Sequence, residues 1–161
     1  MKARIMFVCH GNICRSPMAE FIMKKLVCDL GLSDDFVIES SATSTEEIWN
    51  GIGSPFYSSA KAELRRHKIP FSERRATLLT KADYERYDLF IGMDNANLRG
   101  MHRIFGSDPK GKVKKLMEYT GTNADVSDPW YSGDFEEAYR DIYSGCELLL
   151  KHIMKKDNYA Y

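Results

Sequence analysis

No charge of one sign dominates this chain: 23 Lys and Arg stand against 23 Asp and Glu, and the formal net charge is zero. A nucleic-acid or membrane partner recognised through a broad basic face is therefore not expected. Long apolar runs are missing as well. Ile5–Val8 is too short for the apolar segment of a signal peptide, and nothing resembles a transmembrane span. Cysteine is scarce, with four in 161 residues. Without an export signal, that usage predicts a reducing, cytoplasmic home rather than a disulfide scaffold, although leaderless export is compatible with it. Zinc is disfavoured, because Cys9, His10 and Cys14 cluster but Cys28 and Cys146 are isolated and no second ligand pair follows. No metal or other cofactor is expected. Repeats, linkers and low-complexity tracts are also absent. The length predicts one domain over residues 1–161, able to bury about 70% of its unfolded surface.

What is present concentrates at Cys9–Ser16. The apolar run that starts at Arg4 ends in Cys9, five residues make a tight loop, and Arg15-Ser16-Pro17 opens a helix. Ser16 suits the N-cap, Pro17 the first helical position, and Glu20 the positive end of the helix dipole. Met18, Phe21, Ile22, Val27 and Leu30 follow helical spacing up to Gly31, a natural stop. A strand, a short loop and a helix N-terminus form an anion site, because unpaired backbone N–H groups converge there. Such a place favours the thiolate form of a cysteine. Arg15 offers a planar fork to two phosphoryl oxygens, while Gly11 and Asn12 tolerate the backbone angles that turn N–H groups inward. The loop reads as a thiolate nucleophile below a bound phosphate. Cys-x5-Arg alone is weak evidence; the following Ser, the preceding strand and the helix start give it specificity. The competing reading is a buried cysteine beside a surface arginine.

Further along, Phe36–Ala42 reads as a second strand, with a polar loop to Trp49. Ser58–Lys68 is helical, with Lys61, Arg65 and Arg66 on a solvated basic face. Tyr87–Met93 is a third strand, central because its middle is apolar, and Asp94 caps a short helix through Leu98. A fourth strand is placed near Val113–Met117. From Phe135 to Ile153 apolar residues keep helical spacing, with Asp134 as N-cap and Lys151, His152, Lys155 and Lys156 at the C-terminal end. Strands alternating with helices predict an α/β fold: a doubly wound, four-stranded parallel sheet with helices on both faces. Ligands bind beyond the carboxyl ends of such strands, where Cys9, Trp49, Asp94 and Asp128 all meet.

Cys9-His-Gly-Asn-Ile-Cys-Arg-Ser-Pro17 resembles the phosphate-binding loop of the low-molecular-weight protein tyrosine phosphatases. The resemblance runs through Trp49-Asn50 with Gly51 and Gly53, Met93-Asp94 with Asn97-Leu98-Arg99, and Asp128-Pro129-Trp130-Tyr131. It implies a flavodoxin-like strand order and hydrolysis of phosphotyrosine through a phosphocysteine intermediate. Cys9 would be the nucleophile and Arg15 the clamp, with N–H groups from His10, Gly11, Asn12, Ile13, Cys14 and Arg15 sharing the phosphate charge. Ser16 would donate to the Cys9 sulfur, Asn12 would prop the loop, and Asp128 would act as general acid and then base. Read by itself, Asp128-Pro129 is an ordinary turn dipeptide, and Asp125 and Asp134 compete for the role. Trp49, Trp130 and Tyr131 would wall the substrate slot; burial as core anchors is the competing reading. Relatives often carry phosphorylatable tyrosines where Trp130 and Tyr131 stand, so Trp130 removes one acceptor. Cys14 would capture an oxidised Cys9 as a disulfide. Ile13 favours phosphotyrosine, since relatives acting on phosphoarginine carry Thr there.

The likeness has gaps. Arg74 occupies the place of a loop-bracing His, and no Asp-Pro stands near Pro55-Phe-Tyr57, so loop bracing and the position of the Trp49 loop are open. Expected partners are phosphotyrosine proteins, with phosphate or another oxyanion in the loop, acting on a monomer. Cys28 and Cys146 are expected to be inert core residues, and His67 and His102 structural. Two other functions compete. Thiol-linked arsenate reduction would need a Cys pair after the third strand, and Tyr87–Arg103 has none. A phosphocarrier module would need neither Arg15 nor an acid at Asp128.

Overall fold

A computed structural model describes residues 3–156. The chain runs β1 (Ala3–Cys9), α1 (Arg15–Asp29), β2 (Phe36–Ala42), β3 (Ile48–Trp49), β4 (Ile52–Gly53), α2 (Ser58–Arg66) and β5 (Leu89–Gly92). It continues through α3 (Asn95–Phe105), β6 (Val113–Lys115), α4 (Pro129–Ser132) and α5 (Phe135–Lys156). Four strands form a parallel sheet in the order β2-β1-β5-β6. After β2 the chain crosses to the other side of β1, so the strand order reverses at the carboxyl end of β1. A reversal of this kind opens a crevice for ligands.

The two-residue period of β1 sends its side chains to opposite faces. Ile5, Phe7 and Cys9 join one apolar cluster with Ile22 of α1 and Ile142 of α5, while Met6 and Val8 join another with Met101 and Phe105 of α3. Both faces of the sheet are covered, as the strand and helix alternation predicts. β2 has the predicted bounds. β5 and β6 are shorter than expected, and Leu116–Thr120 forms a 3-10 turn. α3 extends well past Leu98, because Met101 and Phe105 continue its apolar face.

The start of α1 differs from the sequence expectation. The helix begins at Arg15 with Cys14 at the N-cap, so Ser16 and Pro17 are its second and third residues. Pro17 still breaks no helical bond, since the first N–H groups of a helix lack partners. The Ser16 hydroxyl is needed elsewhere, within the loop. Glu20 does not serve the dipole; it is buried and bonded to Ser40, Arg74 and Lys24. The stop at Gly31 is as expected. Gly31, at φ 72°, donates to Cys28 O while Leu32 donates to Val27 O, a paired closure that suits glycine.

The short helix α4 and one hairpin are not predicted from the sequence. Ile48–Trp49 and Ile52–Gly53 form a small antiparallel hairpin around Asn50 (φ 50°) and Gly51 (φ 78°). Asn-Gly is the preferred pair for such a turn, so the signal was present in the sequence. Gly53 is fixed by proximity, because a Cβ there would lie 1.9 Å from Ala76 O.

Candidate active site

The loop after β1 is held by side chains that have few other options. Cys9 is buried, its Sγ 3.0 Å from Ser16 Oγ, and it accepts the Asn12 N–H at 3.3 Å. Asn12 is also buried and sits at φ 60°, a left-handed angle that asparagine tolerates better than most residues. Its Nδ2 donates to Ser16 Oγ (2.7 Å) and Ser40 Oγ (3.0 Å), and its Oδ1 accepts from Thr77 N–H (3.1 Å). A fourth bond comes from Arg74, which donates to the same Oδ1 and, through its other terminal nitrogen, to Glu20 and Ser40. These four bonds fill the amide's capacity. Because Asn12 donates to Ser16 Oγ, the Ser16 O–H is free to point at the Cys9 sulfur. Loop bracing, left open by the sequence, is thus supplied by Arg74 itself.

Arg15 leaves the first turn of α1 and is 2% exposed. Its Nη1 donates to Asp94 Oδ2 and to Val126 O, both at 2.8 Å, and its Nη2 lies 3.5 Å from Asp128 Oδ2. Burial opposes its charge, but Cys9, Asp94 and Asp128 outweigh that penalty and push the guanidinium pKa up from its ordinary value. Asp94 divides its oxygens: Oδ1 caps α3 by accepting the Asn97 N–H at 2.8 Å, and Oδ2 orients Arg15. The sequence identified the first task and missed the second. Asp128 caps α4 by accepting the Trp130 N–H at 3.1 Å, which leaves its other oxygen at the mouth of the cleft. Asp125 instead meets Lys115, and Asp134 caps α5 through the Glu137 N–H.

The cleft has a volume of about 140 Å³ and is lined by residues 9–15 with Glu46, Glu47, Asp128, Trp130 and Tyr131. Trp130 packs edge-on against Tyr57 at 5.0 Å, and Tyr57 stacks on Phe135 at 6.0 Å. Trp49, Trp130 and Tyr131 are all exposed, so none is a core anchor. Trp49 stands on the hairpin, outside the residues that line the cleft. His10 pairs with Glu46 at the rim.

Cys14 lies buried under the loop, and burial, then the nearby Cys9 charge, pushes its thiol pKa far up. Cys146 is buried in the core, where burial likewise pushes its thiol up. Cys28 is exposed, contrary to its expected place in the core, because it lies on the solvent side of the last turn of α1. His67 is structural: it stacks on Tyr139 at 3.8 Å and bonds to buried Glu63. Among the described residues no group of three or more His, Cys, Asp or Glu is placed to share a metal ion, and no helix is long and apolar enough to cross a membrane.

The family model for low molecular weight phosphotyrosine protein phosphatase matches residues 4–159. This chain belongs to that family. The low-molecular-weight phosphatase YfkJ of Bacillus subtilis is 36% identical over 154 residues, covering 94% of this chain and 96% of its own. The YfkJ crystal structure aligns with a TM-score of 0.90 over 97% of both chains. The Streptococcus pyogenes low molecular weight protein tyrosine phosphatase SP-PTP is 37% identical, with a TM-score of 0.84 over 98% of this chain and 97% of that one. A Drosophila arginine phosphatase aligns at 28% identity and a TM-score of 0.81, over 95% and 98% of the two chains. The chain is thus a low-molecular-weight phosphatase, a phosphoric monoester hydrolase. A protein tyrosine phosphatase and an arginine phosphatase thus share its fold.

Proposed function

We propose that this enzyme hydrolyses phosphotyrosine and other aryl phosphates in two steps. In the first, the Cys9 thiolate attacks phosphorus and the ester oxygen departs with a proton from Asp128. Arg15 and the N–H groups of residues 10–15 hold the equatorial oxygens, and Ser16 donates to the sulfur. In the second, the Asp128 carboxylate takes a proton from water, the water oxygen attacks the phosphocysteine, and Cys9 leaves as thiolate. The observation that carries this reading is one buried arginine joining the nucleophile loop to the acid loop, with Arg15 Nη2 3.5 Å from Asp128 Oδ2.

Ile13 sets the preference. It is half-buried at the cleft and packed on the core, an apolar surface suited to a phenyl ring. Desolvating a guanidinium against it without a partner costs about 1–3 kcal/mol. Trp130 and Tyr131 form the outer wall, and Trp49 on its hairpin meets only the flanks of a phosphoprotein substrate. In this reading the enzyme works in the cytoplasm, as a monomer acting on phosphotyrosine proteins.

The test is hydrolysis of p-nitrophenyl phosphate and of matched phosphotyrosine and phosphoarginine peptides, in EDTA. Wild type cleaves the aryl and tyrosine substrates, while Cys9→Ser and Arg15→Ala fold but do not turn over. Near wild-type turnover by Cys9→Ser rules out the phosphocysteine route. A higher kcat/KM on phosphoarginine rules out the reading of Ile13.

A further inference from the structure

Lys115 is a cation where none is expected, at the carboxyl end of the edge strand β6 and 1% exposed. An ammonium group survives out of water only where oxygens replace its hydration. Each of its three N–H bonds has one: Asn95 Oδ1 at 3.0 Å, Asn123 O at 2.9 Å and Asp125 Oδ1 at 2.9 Å. These partners come from the two segments that flank Arg15. Asn95 follows Asp94, the carboxylate that orients the guanidinium. Asn123 and Asp125 precede Val126 and Asp128, the other two groups that Arg15 meets.

The acid-bearing segment has little else to hold it. From Gly121 to Ser127 every residue is exposed except Val126, whose N–H reaches Met93 O at 2.9 Å. Arg15 holds Val126 O, and Lys115 adds a further internal tie through Asp125, three residues upstream of Asp128.

We propose that Lys115 is a positioning residue for the general acid: its ammonium group fastens residues 123–125 to the start of α3 and so fixes where the Asp128 carboxyl stands relative to the leaving oxygen. The inference rests on the reading of Asp128 as the acid. Lys115 touches neither substrate nor nucleophile, so its removal shows in proton delivery and not in oxyanion binding.

The experiment measures kcat/KM, which reports expulsion of the leaving group, for aryl phosphates from p-nitrophenyl to phenyl. The proteins are wild type, Lys115→Met, Asp125→Ala, Asp128→Ala and the double variant Lys115→Met/Asp128→Ala. A general acid contributes about 10²–10⁴-fold, and a misplaced one forfeits part of that. Lys115→Met is expected to lose about tenfold on phenyl phosphate but at most about twofold on p-nitrophenyl phosphate, with inhibition by inorganic phosphate unchanged. In the Asp128→Ala background the same substitution should add no leaving-group dependence, because the group it positions is gone. Equal losses across the series, or a further leaving-group-dependent loss in the double variant, overturn the proposal. If Lys115→Met fails to fold, Asp125→Ala decides: its side chain is half exposed, and it should steepen the leaving-group dependence in the same direction. A wild-type slope in Asp125→Ala then overturns the proposal. A flat profile for Asp128→Ala itself overturns the acid assignment along with it, whereas a steep Asp128→Ala beside a flat Lys115→Met overturns this inference alone.

Discussion

Arg74 and Glu20 face each other almost entirely out of water, with side-chain exposures of 14% and 5%. Removing one partner of a buried ion pair costs about 3–5 kcal/mol, because the other charge is stranded. Glu20 keeps Lys24 as a second cation, so the cost of Arg74→Ala should fall at the lower end, about 3 kcal/mol. Thermal melting checks this, and kcat should drop with stability since Asn12 loses a bond. Unchanged melting would mean that the other three bonds of Asn12 suffice. At Cys14 the expectation concerns oxidation. Peroxide converts the Cys9 thiolate to a sulfenic acid, and Cys14 then displaces water from it to form a disulfide. Burial and the Cys9 charge push the Cys14 thiol up and make it a poor first target, and oxidation of Cys9 removes that charge before the second step. After a peroxide pulse and dithiothreitol, wild type should regain most activity and Cys14→Ser much less. Equal recovery would assign Cys14 to packing. At this scale the sequence revealed the residues whose roles are local. Cys9, Asn12 and Ser16 sit close together in sequence, from the end of β1 to the start of α1. Arg74 reaches Asn12 from 62 positions away, and Asp94 reaches Arg15 from 79, distances that no local pattern encodes.

The elements were legible where apolar spacing had a clear end. Phe36–Ala42 has its predicted bounds, while β5 lacks Tyr87, Asp88 and Met93 of the expected strand, and the Asp88 carboxylate pairs with Arg4. The start of α1 misled for a physical reason: serine before proline is good capping chemistry, but the Cys9 sulfur claims the hydroxyl. The connection between α3 and β6 shows a similar economy. Asp108 accepts the N–H groups of Lys112 (2.8 Å) and Val113 (3.1 Å) and the Tyr84 hydroxyl. Burial works to raise its pKa, but the Tyr84 hydroxyl and the two N–H donors outweigh it and hold Asp108 below the usual carboxylate range. A depressed carboxylate lends stability that is complete above its unfolded value, about 3.9, and is lost as pH falls through the lower folded value. Asp108→Asn should therefore lower the urea midpoint at pH 7 and flatten its decline below about pH 4. An acid limb as steep as wild type would mean that other carboxylates control it.

For the whole molecule, alternation of strand and helix sufficed to predict the parallel sheet, at whose carboxyl edge the candidate site lies. It did not reveal how far apart the segments meeting there lie in the chain. Arg15 finds Val126 and Asp128 after 111 and 113 positions, whereas β1, α1 and β2 are consecutive. Contacts that close long loops form late, because the loop entropy is lost before the contact compensates for it. In refolding, binding of inorganic phosphate should thus lag behind recovery of the sheet's circular dichroism; simultaneous recovery would show that the clamp assembles with the sheet. Phosphate at 100 times its Kd should then stabilise the finished protein by about 2.7 kcal/mol. The same wiring orders events on the ribosome. The proposed nucleophile, Cys9, is made before the carbonyl of Val126 and the carboxylate of Asp128, which follow Arg15 by 111 and 113 positions. A growing chain therefore carries the Cys9 sulfur long before the segment that seats Arg15 exists, and the proposed activity waits for that segment.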